Sequence, residues 1–349
     1  MKIAIFVPSL RNKAPVNVAI SIAYNLAVSG NEVTVFYFND NIEIKRHKQV
    51  RFEKLTLFKN INWKNYDIVH SHGMLPDTFI FLKKPIIGKT KAISTIHNYV
   101  FRDMRSNYNW IFGTFLSISW LILWIRFNML VVLNNDVLNY YKSLSINKRL
   151  QRIYNGRDIV IKSELISPEY KREIEVMRNK FSYTIGVYST LIHLKRIDIL
   201  IRHLSRVNNG CLIVFGEGKE RENLENLVEK YNLKDRVKFF GHVNEAHQYN
   251  VLFDVFVHSS SAEGSSLSLI EAALHKKKIV CSNIHSFTEA FNNREVTFFD
   301  NNNELTIDKA IEEALLNEDK PIKAYNKAIK YYSEKAMSDE YFKLYESLK

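Results

Sequence analysis

Cysteine is scarce: only Cys211 and Cys281 occur among 349 residues. That is too few for a disulfide framework, so a reducing compartment is expected. Glycine (11) and proline (6) are sparse and no short repeat is present, which excludes collagen and coiled coil. The N-terminal apolar run Ile3–Val7 meets Pro8 at once. It is too short for a signal peptide and reads as a first strand. Zinc-finger spacing, an aromatic-rich RNA-binding motif and a helix-turn-helix pattern are all missing, so nucleic acid is the weakest partner class.

What is present points to a cytosolic globular protein. Hydrophobic residues make up 46% of the chain, which excludes disorder. The length favours two domains at roughly 100–200 residues each. Residues 1–165 carry 23 Lys and Arg against 10 Asp and Glu, whereas residues 166–349 carry 26 against 27. One half therefore holds the whole positive excess. This suits an anionic partner such as lipid headgroups or a phosphorylated substrate, with a solvated basic surface as the alternative.

Short apolar runs alternate with helical patterns throughout. Ile3–Val7, Glu32–Phe38, Asp67–His70, Ala92–Ile96 and Leu130–Leu133 read as buried strands, and Val16–Ser29 as a helix closed by Gly30. Tyr183–Val187, Leu212–Phe215, Val237–Phe240, Val255–His258 and Lys278–Cys281 repeat the theme. Helices are expected between them at Arg196–Val207, Arg221–Tyr231 and Ser266–His275. Run twice, this alternation predicts an α/β protein of two doubly wound, Rossmann-like domains. The expected boundaries are 1–165 and 166–334, with Asn155–Lys171 as linker and a C-terminal helix at about 335–349 packing back on the first domain.

Residues 110–133 could span a bilayer by length, but Ser117, Ser119, Arg126 and Asn128 interrupt them. A helix over about 109–127, followed by a strand, fits the alternation better. Trp110, Phe112, Phe115, Trp120, Trp124 and Phe127 make that helix aromatic on more than one side. It is either a well-buried helix or an interfacial helix or apolar acceptor groove on the basic domain.

The most informative stretch is Ser260-Ser-Ala-Glu-Gly-Ser-Ser-Leu-Ser-Leu-Ile-Glu271, between a strand and a helix. Gly264 lets the backbone turn closely, and the N–H groups of Ser265, Ser266 and Leu267 are expected to open a helix as an anion or hydroxyl site. Glu263 and Glu271 lie eight residues apart, about two helical turns, so both can face one cleft. Glu217 and Glu225 share that spacing without this context and read as a solvated helix face.

This segment resembles the Glu-x7-Glu hallmark of the family-four retaining glycosyltransferases of GT-B architecture. Further likenesses are Leu212–Gly218, Arg236–Val243, the phosphate-loop-like Ser189–Asp198, and Glu289; weaker ones are Asp67–Gly73, Thr95–Asn98 and Ile153–Gly156. The resemblance implies two Rossmann-like domains facing a central cleft. It implies Lys195, Thr190, Gly216, Gly218, His242, Val243, Gly264, Ser265, Ser266 and Leu267 at the donor, with Glu263 on the sugar hydroxyls and Glu271 on the ribose. Glu263, His97 and Lys195 would be catalytic, with His72, His97, Asn98 and Arg102 on the acceptor side. It further implies a nucleotide-sugar co-substrate (a UDP-sugar by default), no cofactor and no metal, and no Asp-x-Asp pair is present. Retention would follow from same-face attack with the leaving phosphate as base.

Two departures stand out. Thr190 occupies a position where the family carries Arg, so Arg196 or Lys219 would have to supply that cation. The family's Gly-Gly loop is replaced by Arg11-Asn-Lys-Ala-Pro-Val16. Together with the basic, aromatic-rich first half, the resemblance implies a lipid-linked or oligosaccharide acceptor in bacterial surface polysaccharide biosynthesis. The chain would then sit peripherally on an anionic membrane surface, the inner face of the cytoplasmic membrane, with no nucleic acid as partner. A non-catalytic scaffold of the same fold and a transferase with a soluble acceptor are the alternatives.

Overall fold

The computed structural model describes residues 1–263 and 267–349, the side chains of 106 and 107 excepted. The chain divides into two compact units, Met1–Gly156 with Tyr331–Lys349, and Arg157–Lys330. The crossings fall at 156/157 and 330/331, against the expected 165/166 and 334/335. The reason is local. Arg157, Lys162 and Ser167 already bond to Glu271, Gln248 and the Tyr249 hydroxyl of the second unit.

In the first unit the order is β1 (Lys2–Leu10), α1 (Ala14–Val28), β2 (Glu32–Ile42), β3 (Arg51–Lys54), β4 (Ile68–His72), α2 (Met74–Lys83), β5 (Lys91–Ile96), α3 (Val100–Asn107), α4 (Trp110–Leu123), β6 (Met129–Val132), α5 (Asn135–Leu144) and β7 (Leu150–Arg152). All seven strands are parallel in the order β3-β2-β1-β4-β5-β6-β7. Alternate residues of β1 feed opposite faces, as the two-residue period requires. Ile3, Ile5 and Val7 pack under α1, whereas Ala4 and Phe6 join Phe79, Trp120, Trp124 and Tyr141 on the other side.

The second unit contains α6 (Pro168–Lys180), β8 (Tyr183–Tyr188), α7 (Ile197–Arg206), β9 (Gly210–Phe215), α8 (Arg221–Lys230), β10 (Val237–Phe239), β11 (Val255–His258), α9 (Leu267–Leu274), β12 (Lys278–Ser282), α10 (His285–Ala290), β13 (Thr297–Phe299), α11 (Thr306–Leu316) and α12 (Lys320–Tyr332) up to Lys330, the last two residues of α12 belonging to the first unit. Its sheet runs β10-β9-β8-β11-β12-β13, again wholly parallel. The last helix, α13 (Glu334–Leu348), belongs to the first unit and packs Met337, Tyr341, Leu344 and Tyr345 onto its core.

In each sheet the order of strand addition reverses once, at β1/β4 and at β8/β11, while the strands stay parallel. On either side of such a switch point the outgoing loops diverge, leaving a crevice at the carboxyl ends of the two strands.

Candidate active site

At the β8/β11 switch point two loops are tied together. After β8 the chain runs through Ser189 and Thr190 into a 3-10 turn, His193–Lys195, and enters α7 from Arg196 in the left-handed region at φ 50°. After β11 it runs through Ser259 to Glu263. The Ser261 N–H donates to the Leu194 carbonyl at 2.8 Å, and the Ser259 hydroxyl to the Lys195 carbonyl at 2.7 Å. From β12, the Ser282 hydroxyl holds the Ser260 carbonyl at 2.5 Å.

These ties bring together two charged side chains 68 residues apart: Lys195 Nζ pairs directly with Glu263 Oε1. The same oxygen accepts from the Ser260 hydroxyl at 2.8 Å and lies 3.3 Å from His258 Nε2. Both partners of the ion pair are mostly buried. His258 is lowered to about 4 by burial and by the Lys195 charge, against the pull of Glu263, so it stays neutral. A cation and a carboxylate are thus fixed at a strand-end crevice, the arrangement suited to an anionic leaving group next to a hydroxyl-bearing one.

A pocket of about 320 Å³ opens on the β9/β10 side of this pair. Thr190, Gly216, His242 and Val243 all line it, together with Tyr188 and Phe215. Gly216 is required here: its φ is 148°, and a Cβ would sit 1.8 Å from the Ser189 carbonyl oxygen. Gly218 lets the same loop pass the Leu191 carbonyl. Leu267 begins α9, half-buried. Gly264, Ser265 and Ser266, expected to form the helix-start anion site, lie outside the described residues. Arg196 pairs with Glu304 at 3.5 Å and donates to the Asn301 carbonyl at 3.3 Å, so it is committed away from Thr190. Lys219 is exposed beside Gly218.

Glu271, on α9, has its own partners. Arg157 Nε bonds its Oε1 at 3.0 Å, and the same guanidinium reaches Glu245 at 3.4 Å. His247 Nδ1 lies 3.9 Å from Glu271. Burial raises the Glu271 carboxyl to about 7 against the pull of Arg157, with Glu245 pushing it further up. Glu289 is half-buried on α10.

In the first unit the expected acceptor-side residues cluster at the ends of β4 and β5. His72 Nδ1 and His97 Nε2 are 2.9 Å apart, so one ring donates to the other and both are neutral. Burial lowers His97 to about 4, and burial with the neighbouring His70 and His97 rings holds His72 well below the ordinary imidazole range. The Asn98 carbonyl accepts from the Tyr141 hydroxyl at 2.7 Å, and Arg102 is exposed on α3. His70, two residues before His72 on β4, is a core residue bonded to Tyr345 and Thr95.

Sequence reasoning missed Arg157, Glu245, His247 and His258. Arg157 lies in what reads as linker, 114 residues from the carboxylate it holds. His258 alone carried a signal, as the last residue of an expected strand just before Ser260.

Residues 172–334 match the family described as Glycosyl transferases group 1, and residues 16–160 match Glycosyltransferase Family 4. The chain is 32% identical over 303 residues to the O-antigen biosynthesis glycosyltransferase WclY of Escherichia coli, covering 85% of this chain and 84% of that protein. It is 29% identical over 185 residues to the N-acetylgalactosamine-N,N'-diacetylbacillosaminyl-diphospho-undecaprenol 4-alpha-N-acetylgalactosaminyltransferase of Campylobacter jejuni, covering 52% and 48%. Among solved structures, Anabaena HepE in complex with UDP superposes with a TM-score of 0.78 at 18% identity, covering 99% of this chain and all of that one. Two parallel α/β units and these likenesses identify the GT-B fold, and the chain belongs to the glycosyltransferases, with a family 4 region followed by a group 1 region.

Proposed function

We propose that this glycosyltransferase moves a sugar, with retention of anomeric configuration, from a nucleotide diphosphate donor to a glycan acceptor. The observation that carries this reading is the Lys195–Glu263 pair at the β8/β11 switch point, beside the pocket lined by Thr190, Gly216, His242 and Val243. Lys195 would neutralise the diphosphate as negative charge develops on it, a task that needs no metal where a side-chain cation already stands. Glu263 would hold the donor sugar hydroxyls, and Glu271 the ribose. Gly218 and the segment Gly264–Leu267 would let backbone approach the donor. The leaving diphosphate oxygen would take the proton of the incoming hydroxyl on the same face of the sugar. His97 would assist at the reacting sugar, and with His72, Asn98 and Arg102 would serve the acceptor side. No cofactor enters this scheme.

UDP is the favoured base carrier, a choice supported by the UDP complex of the HepE neighbour. The setting we infer is surface polysaccharide synthesis with a lipid-linked acceptor, supported by the O-antigen and diphospho-undecaprenol names of the two relatives. The enzyme would work peripherally at the inner face of the cytoplasmic membrane. Among the described residues no helix is long and apolar enough to cross a membrane. Glu263→Ala tests the assignment: transfer from a UDP-sugar to a polyprenyl-diphosphate glycan should be lost while circular dichroism shows the fold retained, and unchanged turnover would contradict it.

A further inference from the structure

Helix α4 is built with two unlike faces. Gly113, Ser117, Trp120 and Leu121 are buried, and Trp124 follows them in the next turn. The indole N–H groups of Trp120 and Trp124 both donate to the buried Asp77 carboxylate on α2, at 2.7 and 2.8 Å. Gly113 lies against the Met104 backbone of α3. This side is anchored.

The opposite side carries Ile111, Phe115, Ile118, Ile122 and Ile125, spaced four, three, four and three residues apart, which is one helical stripe. Their exposures run from 44% to 74%. Trp110 and Phe112 widen the stripe at its start. At its other end Arg126 donates to the carbonyls of Phe81 and Lys84, fixing the segment after α2 beside the helix. The last turn of α2 exposes Leu82, and the segment after it exposes Ile86 and Ile87, the last at 92%. Single exposed apolar residues are ordinary, but a stripe joined to a second apolar loop marks a contact surface.

Charge selects what the surface meets. Residues 78–135 contain seven Lys and Arg and one acidic residue, Asp103, which accepts a hydrogen bond from the Asn98 side chain. Lys83, Lys84, Lys89 and Lys91 surround the Ile86–Ile87 loop in sequence, and Arg105 lies 5.2 Å over the Trp110 ring. A second copy of the chain would bring the same positive charge to the same face. At about 1.5 Å per residue, α4 is about 21 Å long, short of the roughly 30 Å hydrocarbon core.

We propose that the outer face of α4, with Leu82 at the end of α2 and the Ile86–Ile87 loop, is a bilayer-docking surface that lies in the headgroup region of an anionic membrane. The inference rests on the membrane setting proposed above and adds to it the elements that make the contact.

The test uses the full chain and vesicles of phosphatidylcholine with about 30% phosphatidylglycerol, against pure phosphatidylcholine. Wild type should co-sediment with the anionic vesicles and lose most of that binding in pure phosphatidylcholine or at high salt. Phe115→Glu/Ile118→Glu should weaken binding at least about tenfold, because both side chains would carry charge into the interface. Its melting temperature, and the shift of that temperature by UDP, should match wild type. Equal vesicle binding by wild type and variant would overturn the proposal, as would no wild-type binding to anionic vesicles. A wild-type dimer that the variant dissolves would assign the face to a second copy instead. The UDP shift reports on the second unit, so failure of the donor-site reading would appear there and failure of this one in sedimentation.

Discussion

Arg157→Met should change how nucleotide binding depends on pH. In the protein, Glu271 is held near 7 because burial raises it while the Arg157 guanidinium, 3.0 Å away, lowers it. The other charged or titratable groups facing it are Glu245, His247 and Tyr188. Two unit charges about 4 Å apart interact by about 4 kcal/mol at an effective dielectric of about 20. Side chains 12% and 21% exposed keep only part of that, roughly 1–2 kcal/mol, or about one pKa unit. Removing the cation therefore moves the Glu271 midpoint from about 7 to about 8 or above. Ribose hydroxyls are held best by the ionised carboxylate, so UDP affinity should rise with pH through that midpoint in both proteins. At pH 7 the ionised fraction falls from about one half to about one tenth, which predicts roughly fivefold weaker UDP binding by the variant. By about pH 9 the two should converge, and Arg157→Lys should restore most of the loss. Calorimetric titration with UDP from pH 6 to 9 measures this directly. Superimposable profiles for wild type and Arg157→Met would refute the reasoning.

Three further outcomes follow from burial and packing. Asp77→Ala strands two indole N–H groups and the hydroxyls of Ser71 and Ser94, so denaturant unfolding should show a loss of about 3–5 kcal/mol. A smaller change than about 1 kcal/mol would mean that α4 is anchored by other contacts. Gly216→Ala forces a methyl onto the Ser189 carbonyl, and should weaken UDP binding while a Gly210→Ala control, at the far end of β9, leaves it less affected. His70, His97, His247, His258 and His275 are all lowered to about 3 or 4 by burial, whereas the unfolded chain protonates near 6.5. The unfolded state therefore takes up the extra protons, and stability falls as pH drops below about 6.5, by about 1.4 kcal/mol per pH unit for each histidine once it is protonated in that state. A melting temperature that stays flat from pH 7 to pH 5 would contradict those burials.

Central strands were legible in the sequence because both faces of a parallel strand are buried, leaving an apolar run such as Ile3–Val7 or Leu212–Phe215. The edge strands β3 and β7 were not. Arg51-Phe-Glu-Lys54 and Leu150-Gln-Arg152 lie at the sheet margins and carry no such run. β13, Thr297-Phe-Phe299, is simply too short to register a pattern. Of the candidate site, Lys195 and Glu263 could be named by resemblance, but not that they touch, since the ties between Leu194 and Ser261 come from tertiary packing. The helix at 110–123 showed its aromatic character but not its orientation. That was decided by Asp77, an unremarked acid whose bonds to Trp120 and Trp124 settle which side faces the core.

The central claim is that the second unit binds a nucleoside diphosphate with Lys195 on its phosphates. Thermal denaturation of wild type and Lys195→Ala with UDP, GDP, dTDP and ADP at millimolar concentration tests it most directly. A ligand at about 100 times its dissociation constant stabilises the native state by about 2.7 kcal/mol. UDP should therefore raise the wild-type melting temperature by several degrees, and the Lys195→Ala temperature by much less. No rise with any of the four nucleotides, or an equal rise in the variant, would contradict the account.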